Sequence, residues 1–368
     1  MHLQRLSLIN FKNLEELDIQ FSSNLNCFIG NNGAGKTNVM DAIYYLSFCK
    51  SFLNSTDALN INHQADFFLV KGEYEDADTV ENVHCGLKQG QKKVFKCNKK
   101  EYQRLADHIG KLPVIVITPS DNDLITSGSE ERRKFIDALI SQYDAAYLNA
   151  LIRYNKAVLQ RNKLLKQFAS QRMFNAESLE LWDDQLVMYA TEIHAKRREY
   201  IIRLKPIFQQ YYELISGGRE IIDLQYKSQL NDGELGELLI QSREKDRMLQ
   251  HTSVGTHRDD IDFMLGEYPL KKLGSQGQKK TYLVAMKLAQ FDFVKEMSKM
   301  TPILLLDDIF DKLDANRVEK IITLVAQQHF GQIFITDTNR ENLDTIIRKL
   351  DAESKVFNVV DGKVELIS

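Results

Sequence analysis

Apolar and polar residues alternate at the start of the chain, which predicts a β-hairpin. In residues 3–10 and 17–21 apolar and polar residues alternate, as they do in strands with one buried face. Residues 25–29 form a short apolar run that predicts a buried strand, and residues 36–48 have the apolar spacing of a helix. The beginning of the chain is therefore predicted to mix strands and helices.

More strands follow before the pattern changes. Residues 67–74, 83–87 and 94–97 alternate, and residues 112–119, LPVIVITP, form an apolar run that ends at a proline. A run with no polar interruption is typical of a strand that is covered on both faces. We expect this last strand to lie inside the α/β part of the fold.

The middle of the chain has apolar residues at helical spacing. Residues 129–168 predict one long helix. A second long helix is predicted to end near Pro206, because proline removes a helical hydrogen bond. Strand-like alternation resumes only at residues 221–226.

The length of 368 residues allows two lobes, each with its own core. Because the α/β pattern returns after the helical stretch, we expect residues 1–120 and 256–368 to form one α/β lobe. The mostly helical lobe, residues 121–255, is then an insertion within it. Segments from both sides of the insertion thus contribute to the same lobe.

The composition is that of an ordinary globular chain, with 43% hydrophobic and 27% charged residues. The formal net charge of −3 means that any nucleic-acid binding must rely on a local basic patch. The four cysteines show no CxxC spacing, which disfavours a zinc site and indicates a reducing compartment. No apolar run reaches the roughly 20 residues of a membrane span, so we expect a cytoplasmic protein without membrane partners.

The stretch FIGNNGAGKT contains the spacing of a phosphate-binding loop between a predicted strand and a predicted helix. Glycines let backbone N–H groups surround a phosphate, and the start of the helix adds a positive dipole. Lys36 is expected at the β- and γ-phosphates as a catalytic residue, and Thr37 as a ligand of Mg²⁺. The residues predicted to bind the nucleotide here are Gly30, Asn31, Asn32, Gly33, Ala34, Gly35, Lys36, Thr37 and Asn38.

The stretch TPILLLDDIFDKLD is an apolar strand that ends in two carboxylates. Ligands of open α/β sheets bind at the carboxyl ends of strands. Asp307 is therefore predicted to hold Mg²⁺, and Asp308 to orient and deprotonate an attacking water as the catalytic base. A strand that runs into a solvated turn is the alternative. Asp314 is expected to cap the following helix.

The stretch GSQGQ precedes a long amphipathic run and lies far along the chain from the phosphate loop. Ser275 can cap the helix, and its hydroxyl and the Gly277 N–H can reach a γ-phosphate. The alternative is an ordinary capped helix without a ligand. The sequence of this stretch alone does not explain why a nucleotide contact would lie more than 200 residues after the phosphate loop. An explanation requires all three motifs.

Together these motifs resemble the ATP-binding-cassette superfamily, in its SMC-like DNA-repair branch. The resemblance narrows to the RecF family of bacterial recombinational-repair ATPases, through LINFKNLEELDIQF, GNNGAGKTNVMDAIYYLS, VGTHRDDIDF, GSQGQKK and LLLDDIFDKLD. It implies a P-loop ATPase head with a helical insert that uses ATP and Mg²⁺. It also implies that Ser275, Gly277 and Gln278 contact the nucleotide of a second copy, with Ser275 catalytic, so that ATP joins two heads.

The chain departs from the superfamily pattern at two places. Residues 334–339, FITDTN, occupy the switch position, where most cassette ATPases carry a histidine. The resemblance implies that Thr336 or Asp337 takes over the contact on the γ-phosphate side, and Thr336 is our candidate ligand. Asp308 stands where most cassette ATPases have glutamate, which is one methylene longer, so we expect slow turnover.

Two further roles are implied by the resemblance alone. Lys12 in NFKN matches a basic residue that relatives place near the nucleotide, and a solvated hairpin lysine is the alternative. Gln64 in NHQADFF is the candidate for a glutamine that contacts the nucleotide's metal and water. A glutamine on a surface turn explains that position equally well.

The densest basic run is KQGQKKVFKCNKKEYQR, which looks like a hairpin of the α/β lobe. Lysines that contact phosphates release counterions, and we find no base-reading motif, so DNA binding is expected to be independent of sequence. A solubilising face is the alternative. The predicted DNA contacts are Lys92, Lys93, Lys96, Lys99 and Lys100.

The resemblance implies an ATP-driven homodimer that clamps duplex DNA near single-strand gaps and junctions. It would act with RecR and RecO, help to load RecA, and be reset by slow, DNA-stimulated ATP hydrolysis. An ATPase for transport or cofactor assembly shares the nucleotide motifs but not the helical insert. A fragment of a long SMC coiled coil would need sustained heptads. A module that binds ATP without hydrolysing it differs only in its kinetics.

Overall fold

The computed structural model describes residues 1–76, 79–218, 220–310, 313–327, 330–350 and 353–367. The strands are β1 (His2–Phe11), β2 (Leu14–Gln20), β3 (Leu25–Ile29), β4 (Phe67–Asp76), β5 (Thr79–Lys88), β6 (Val94–Cys97), β7 (Lys100–Glu101), β8 (Val114–Ile117), β9 (Ile222–Lys227), β10 (Asp260–Leu265), β11 (Tyr268–Pro269), β12 (Ile303–Asp307), β13 (Ile333–Asp337), β14 (Ser354–Val360) and β15 (Lys363–Leu366). The helices are α1 (Lys36–Phe48), α2 (Asp123–Thr126), α3 (Ser129–Ser141), α4 (Ala145–Gln171), α5 (Ala176–Ser216), α6 (Leu235–Leu249), α7 (Leu270–Leu273), α8 (Gln276–Ser298), α9 (Ala315–Gln327) and α10 (Arg340–Leu350).

The chain divides into two compact units. The first comprises Met1–Asp121, Leu214–Gly218 and Lys280–Ser368, and the second comprises Asn122–Glu213 and Arg219–Lys279. The second unit therefore extends further along the chain than the predicted insertion. The reason is that β10 pairs along its whole length with β9, so both strands belong to one small sheet.

The first unit contains two sheets with α1 in contact with both. One sheet is antiparallel, in the order β2-β1-β4-β5-β6-β7, and the other has the order β15-β14-β3-β13-β12-β8. In the second sheet β14, β3, β13, β12 and β8 run parallel. Their carboxyl ends consequently meet at one edge, which is where ligands of such sheets bind. The strands predicted in this unit and α1 are confirmed.

Aromatic side chains form two clusters in the core of the first unit. Phe11, Tyr45 and Phe68 meet edge to face with ring centroids 5.4–5.9 Å apart. Phe21 and Phe334 meet in the same way at 4.9 Å. Because such rings carry large apolar areas, the first cluster holds α1, and with it the loop before α1, against the antiparallel sheet. The contact of Phe21, which follows β2, with Phe334 of β13 joins the two sheets.

The second unit is mostly helical, with a three-stranded sheet in the order β11-β10-β9. Arg161 of α4 is fully buried and donates hydrogen bonds to Asp183 of α5 at 2.6 Å and to Asp246 of α6 at 2.6 Å. A buried guanidinium needs such partners, because an unpaired buried charge is costly. This cluster ties the three helices together.

Two helix boundaries differ from the prediction. The single helix expected over residues 129–168 is broken, because Asp144 accepts a hydrogen bond from the Tyr147 N–H at 2.9 Å and caps a new helix, α4. The helix expected to end near Pro206 continues to Ser216. Pro206 lies on the exposed face, and the buried side chains beyond it hold the last turns in helical form.

Within the described part of the chain, none of the helices combines the length and the apolar character that crossing a bilayer requires. The cysteines Cys27, Cys49, Cys85 and Cys97 are all free thiols, and the first three are buried. The three buried cysteines therefore act as small core side chains.

The His108 ring is fully buried and links two parts of the first unit. Its Nε2 lies 2.7 Å from the Leu46 carbonyl oxygen and its Nδ1 lies 3.2 Å from the Tyr102 hydroxyl. Burial lowers the pKa of His108 to about 4. Protonation therefore favours the unfolded chain, where the pKa is near its ordinary value of about 6.5. The stabilisation is complete above that value and is lost as the pH falls towards 4.

We expect the first unit to lose about 2 kcal/mol of unfolding free energy through His108 between pH 7 and pH 5. The His108→Gln variant keeps a donor for the Leu46 carbonyl but does not titrate, so its loss over this interval should be smaller by that amount. Urea unfolding at the two pH values measures the difference. His63→Gln, at an exposed turn of the same unit, is the control. Equal losses for wild type and His108→Gln would contradict the prediction.

Candidate nucleotide-binding site

The predicted phosphate loop connects β3 to α1 in the first unit. Gly33 and Gly35 have φ angles of 81° and 120°, which favour glycine. The Lys36 side chain folds back over the loop, and its Nζ donates to the carbonyls of Gly30 at 2.8 Å and Asn31 at 3.1 Å. The loop thus has the strand–turn–helix context and the covering lysine that phosphate binding requires.

Two distant turns hold the phosphate loop in place. In the β1–β2 turn, Asn13 donates to the Ala34 carbonyl at 3.3 Å and accepts from the Asn38 side chain at 2.7 Å. In the β14–β15 turn, the Gly362 N–H donates to the same Ala34 carbonyl at 2.9 Å. A Cβ on Gly362 would lie 2.2 Å from the Asn13 carbonyl oxygen, so only glycine fits there. Sequence analysis predicted the β1–β2 hairpin but not its contact with the phosphate loop, and it did not assign the β14–β15 turn.

The Lys12 side chain is committed to a structural ion pair. Its Nζ bonds to Asp41, a fully buried carboxylate on α1. Asp41 also accepts from the Ser51 hydroxyl at 2.6 Å and the Phe52 N–H at 2.8 Å. Burial lowers the pKa of Lys12, and the Asp41 charge opposes that shift. The Lys12 amine thus fastens the β1–β2 turn to α1 and is not the solvated hairpin lysine of the alternative. Its predicted contact to the nucleotide stays a prediction.

The acid centre is built by the register of parallel strands. Asp307 at the end of β12 lies beside Thr336 of β13. One oxygen of Asp307, Oδ1, accepts from the Thr336 hydroxyl at 2.7 Å and from the Thr37 hydroxyl at 3.0 Å. The Thr336 hydroxyl in turn accepts from the Asp308 N–H at 3.0 Å. The phosphate loop and the acidic strand, far apart in sequence, thus converge on one carboxylate.

The donor set at this centre suits Mg²⁺. Asp307 is 3% exposed, and burial raises its pKa, while the two hydroxyls and Lys36 lower it. A hydroxyl and a carboxylate oxygen are hard ligands of the kind that Mg²⁺ prefers, with phosphates and water completing its shell. Among the described residues no group of three or more His, Cys, Asp or Glu side chains could hold a metal on its own. Thr37 and Asp307 fit a metal ion whose other ligands are nucleotide phosphates and water.

Three residues around the acid centre, Thr336, Asp337 and Asp308, were predicted to contact the γ-phosphate or to activate water. Thr336 is fully buried, and its hydroxyl is used by Asp307 and the Asp308 N–H, so it supports the acid centre and differs from the expected γ-phosphate contact. Asp337 lies beside Ile29 at the end of β3, next to the phosphate loop. Asp308 has a φ of 45°, a strained value for a residue other than glycine, which sets the direction of its carboxylate.

The same sheet edge contains a segment that sequence analysis did not assign. β8 pairs in parallel with β12, so the Thr118–Asp121 turn follows β8 at the edge where Asp307 lies. The Thr118 N–H donates to Asp121 at 2.7 Å, and the Thr118 and Ser120 hydroxyls lie 2.7 Å apart. The uninterrupted apolar run of β8 was the available signal, because it indicated a strand covered on both faces, although β8 is the last strand in the sheet order.

The end of the acidic motif is confirmed in part. Asp314 caps α9, since its Oδ1 accepts from the Arg317 N–H at 2.9 Å. Residues 311 and 312 of the DKLD stretch lie outside the described residues.

Gln64 lies on an exposed turn, where its N–H donates to the Asn62 side chain at 2.9 Å. Its predicted contact to a metal remains a prediction.

The signature residues belong to the second unit and form a complete helix cap. The Gln278 N–H donates to the Ser275 hydroxyl oxygen at 3.2 Å, and the Ser275 N–H donates to the Gln278 side chain at 2.8 Å. This reciprocal pair is a capping box. Ser275 is exposed, so its hydroxyl proton remains available to a ligand, and Gly277 adds no side chain beside it.

The basic run forms the hairpin of β6 and β7 with its preceding loop. Lys92, Lys99 and Lys100 are exposed and Lys96 is half-buried. Lys93 is a correction to the predicted DNA contacts. Its side chain is 11% exposed, and its Nζ donates to Asp57 at 2.7 Å and to the Tyr45 hydroxyl at 3.1 Å, which holds it inside the unit.

Comparison with known proteins identifies relatives along the whole chain. The family model for the RecF/RecN/SMC N terminal domain matches residues 2–364. A protein of Phocaeicola vulgatus named "DNA replication and repair protein RecF" is 52% identical over 99% of this chain and 98% of its own length. A protein of the same name from Flavobacterium johnsoniae is 47% identical over 98% of this chain and all of its own length.

Solved structures give the same result. A structure described as the recombination mediator protein RecF with ATP in the RecFOR pathway is 29% identical, with a TM-score of 0.90 over all of this chain and 98% of that one. An Smc head bound to a ScpA domain has a TM-score of 0.59 at 16% identity, over all of this chain and 97% of that one, and shows the fold alone. The predicted fold class, an ATPase head with a helical insert, is confirmed. The chain therefore belongs to the RecF family, within the group of RecF, RecN and SMC proteins.

Proposed function

We propose that this chain is an ATP-dependent DNA-binding protein of recombinational repair, in which ATP joins two copies head to head. The observation that carries the proposal is the convergence of Thr37 and Thr336 on Asp307 beside the phosphate loop. The similarity to a RecF protein solved with ATP supports it. Relatives named for DNA replication and repair favour this function over an ATPase for transport or cofactor assembly.

In the proposed reaction the loop N–H groups bind phosphate oxygens and Lys36 binds the β- and γ-phosphates. Thr37 and Asp307 would hold Mg²⁺, which would neutralise charge on the transferred phosphoryl group. Asp308 orients the attacking water and accepts its proton. Its short side chain and strained backbone restrict its reach, so we propose slow hydrolysis. The exposed Ser275 hydroxyl contacts the nucleotide of the other copy.

The exposed lysines of the β6–β7 hairpin are the proposed DNA contacts, and binding is independent of base sequence. In the proposed cycle the ATP-bound dimer clamps duplex DNA near a single-strand gap or junction, DNA stimulates hydrolysis, and hydrolysis releases the clamp. A RecF protein solved in the RecFOR pathway supports RecR and RecO as partners, with RecA as the recombinase that is loaded. The protein would act in the cytoplasm, where this DNA lies.

A mixture of two inactive variants tests whether Ser275 acts on the other copy's nucleotide. Lys36→Arg disables the phosphate loop and Ser275→Ala the signature. A mixed dimer contains one site with both defects and one intact site. Random pairing should then restore about a quarter of the wild-type ATP turnover. Steady-state hydrolysis at equal concentrations measures it. Turnover no greater than the mean of the separate variants would overturn the two-copy site.

The Thr336→Val variant tests the acid centre. It keeps the shape of the side chain but removes a donor to Asp307 and the acceptor of the Asp308 N–H. We expect turnover to fall about tenfold to a hundredfold, since hydrogen bonds to charged groups are worth roughly 1.5–3 kcal/mol. Affinity for a fluorescent ATP analogue should change little, because the phosphate loop is intact. Thr336→Ser keeps the hydroxyl and should retain most activity. Equal losses in the two variants would contradict this role.

The hairpin lysines can be tested through the salt dependence of DNA binding. Replacing the exposed Lys92, Lys99 and Lys100 by alanine should weaken binding to duplex DNA of any sequence. The slope of log affinity against log salt should fall by about one for each lysine–phosphate pair that the substitutions remove. Lys299→Ala, an exposed lysine of the same unit outside the hairpin, is the control. An unchanged slope in the triple variant would place the DNA-binding surface elsewhere.

A further inference from the structure

The side chain of the signature glutamine, Gln278, is held by a carboxylate from another part of the second unit. Its amide oxygen accepts from the Ser275 N–H at 2.8 Å, which leaves its amide nitrogen as a donor. That nitrogen donates to Glu220 Oε1 at 2.5 Å. Both ends of the Gln278 side chain are therefore occupied, one by the helix cap and the other by Glu220.

Glu220 is itself fixed from the end of α5. Its second carboxylate oxygen, Oε2, accepts from the Tyr212 hydroxyl at 2.5 Å, and Tyr212 is fully buried. The Glu220 carbonyl accepts from the Gln209 side chain at 3.3 Å, and the same side chain accepts from the Ile222 N–H at 2.9 Å. Tyr212 thus holds the Glu220 carboxylate, and Gln209 holds the backbone of Glu220 and Ile222.

These bonds form one continuous series from Tyr212 through Glu220 and Gln278 to Ser275. Charge-assisted hydrogen bonds to a carboxylate are stronger and shorter than neutral ones. A ligand-contacting hydroxyl must be held within about 0.5 Å of its productive position, and neighbouring hydrogen bonds provide that accuracy. The helix cap holds the Gln278 amide oxygen, and Glu220 adds a second hydrogen bond that holds the amide nitrogen.

We propose that Glu220 is a positioning residue for the signature, which sets the place of the Ser275 hydroxyl for the nucleotide of the other copy. This inference rests on the proposed two-copy ATP site. It adds a residue that belongs to none of the nucleotide motifs and that lies 58 positions before Gln278. Because Glu220 acts on the signature and not on the phosphate loop, its loss affects the joining of two copies and not the first binding of ATP.

Glu220→Ala leaves the Gln278 amide and the Tyr212 hydroxyl without their acceptor. We expect ATP-dependent self-association to weaken about tenfold. Glu220→Gln can accept from Gln278 and donate to the Tyr212 oxygen, so it should restore association to within about threefold of wild type. Glu199→Ala removes an exposed carboxylate of α5 that pairs with Arg203, and it is the matched control.

The experiment uses the full-length chain with ATPγS and Mg²⁺ and measures association by analytical ultracentrifugation. Binding of a fluorescent ATP analogue at dilutions where the protein is monomeric is measured in parallel, and it should be equal in all four proteins. Hydrogen–deuterium exchange of residues 274–282 without nucleotide reports the signature directly. Exchange should be faster in Glu220→Ala than in wild type, Glu220→Gln or Glu199→Ala.

The outcomes separate this inference from the proposed function. If wild type fails to associate with ATPγS, the two-copy site is wrong, and the exchange measurement still decides whether Glu220 holds the signature. If wild type associates and Glu220→Ala associates equally well, the inference is overturned while the two-copy site stands. Unchanged exchange in Glu220→Ala, or a Glu220→Gln variant as weak as Glu220→Ala, would also overturn it.

Discussion

Asp307 accepts two hydroxyl hydrogen bonds on one oxygen, and the nucleotide site depends on that arrangement. A carboxylate at 3% exposure is unfavourable unless donors compensate for the water it no longer contacts. The donors are Thr37, from the start of α1, and Thr336, from the neighbouring strand. Each is there only because β12, β13 and β3 pair in parallel with a fixed register. The sheet that forms the core therefore also sets the chemistry at its edge.

The phosphate loop is rigid for a related reason. The Ala34 carbonyl receives hydrogen bonds from Asn13 and from Gly362, so one backbone oxygen joins turns from two different sheets. The Lys12–Asp41 ion pair fastens the same β1–β2 turn to α1. A loop prepared in this way loses little conformational entropy when phosphate binds, which favours affinity.

Local sequence patterns predicted most of the strands and helices and the residues at the centre of the nucleotide site. The phosphate loop and the strand ending in Asp307 are short, contiguous signals, and the structure places them together. The positions that sequence analysis missed depend on distant pairing. Nothing near Lys93 in the sequence indicates Asp57, and nothing near Gln278 indicates Glu220. Pro206 shows the converse, since burial on the far side of α5 outweighs a local helix-breaking preference.

The strand order has a consequence for how the protein is made. β3, which leads into the phosphate loop, has β13 and β14 as its two neighbours, and these begin only at Ile333 and Ser354. During translation β3 therefore has no strand partner until the whole second unit has been synthesised. ATP cannot stabilise the nascent chain during that interval, because binding stabilises only a folded site. An unpaired apolar strand is prone to aggregate, so β3 is the segment on which we expect chaperones to act during synthesis.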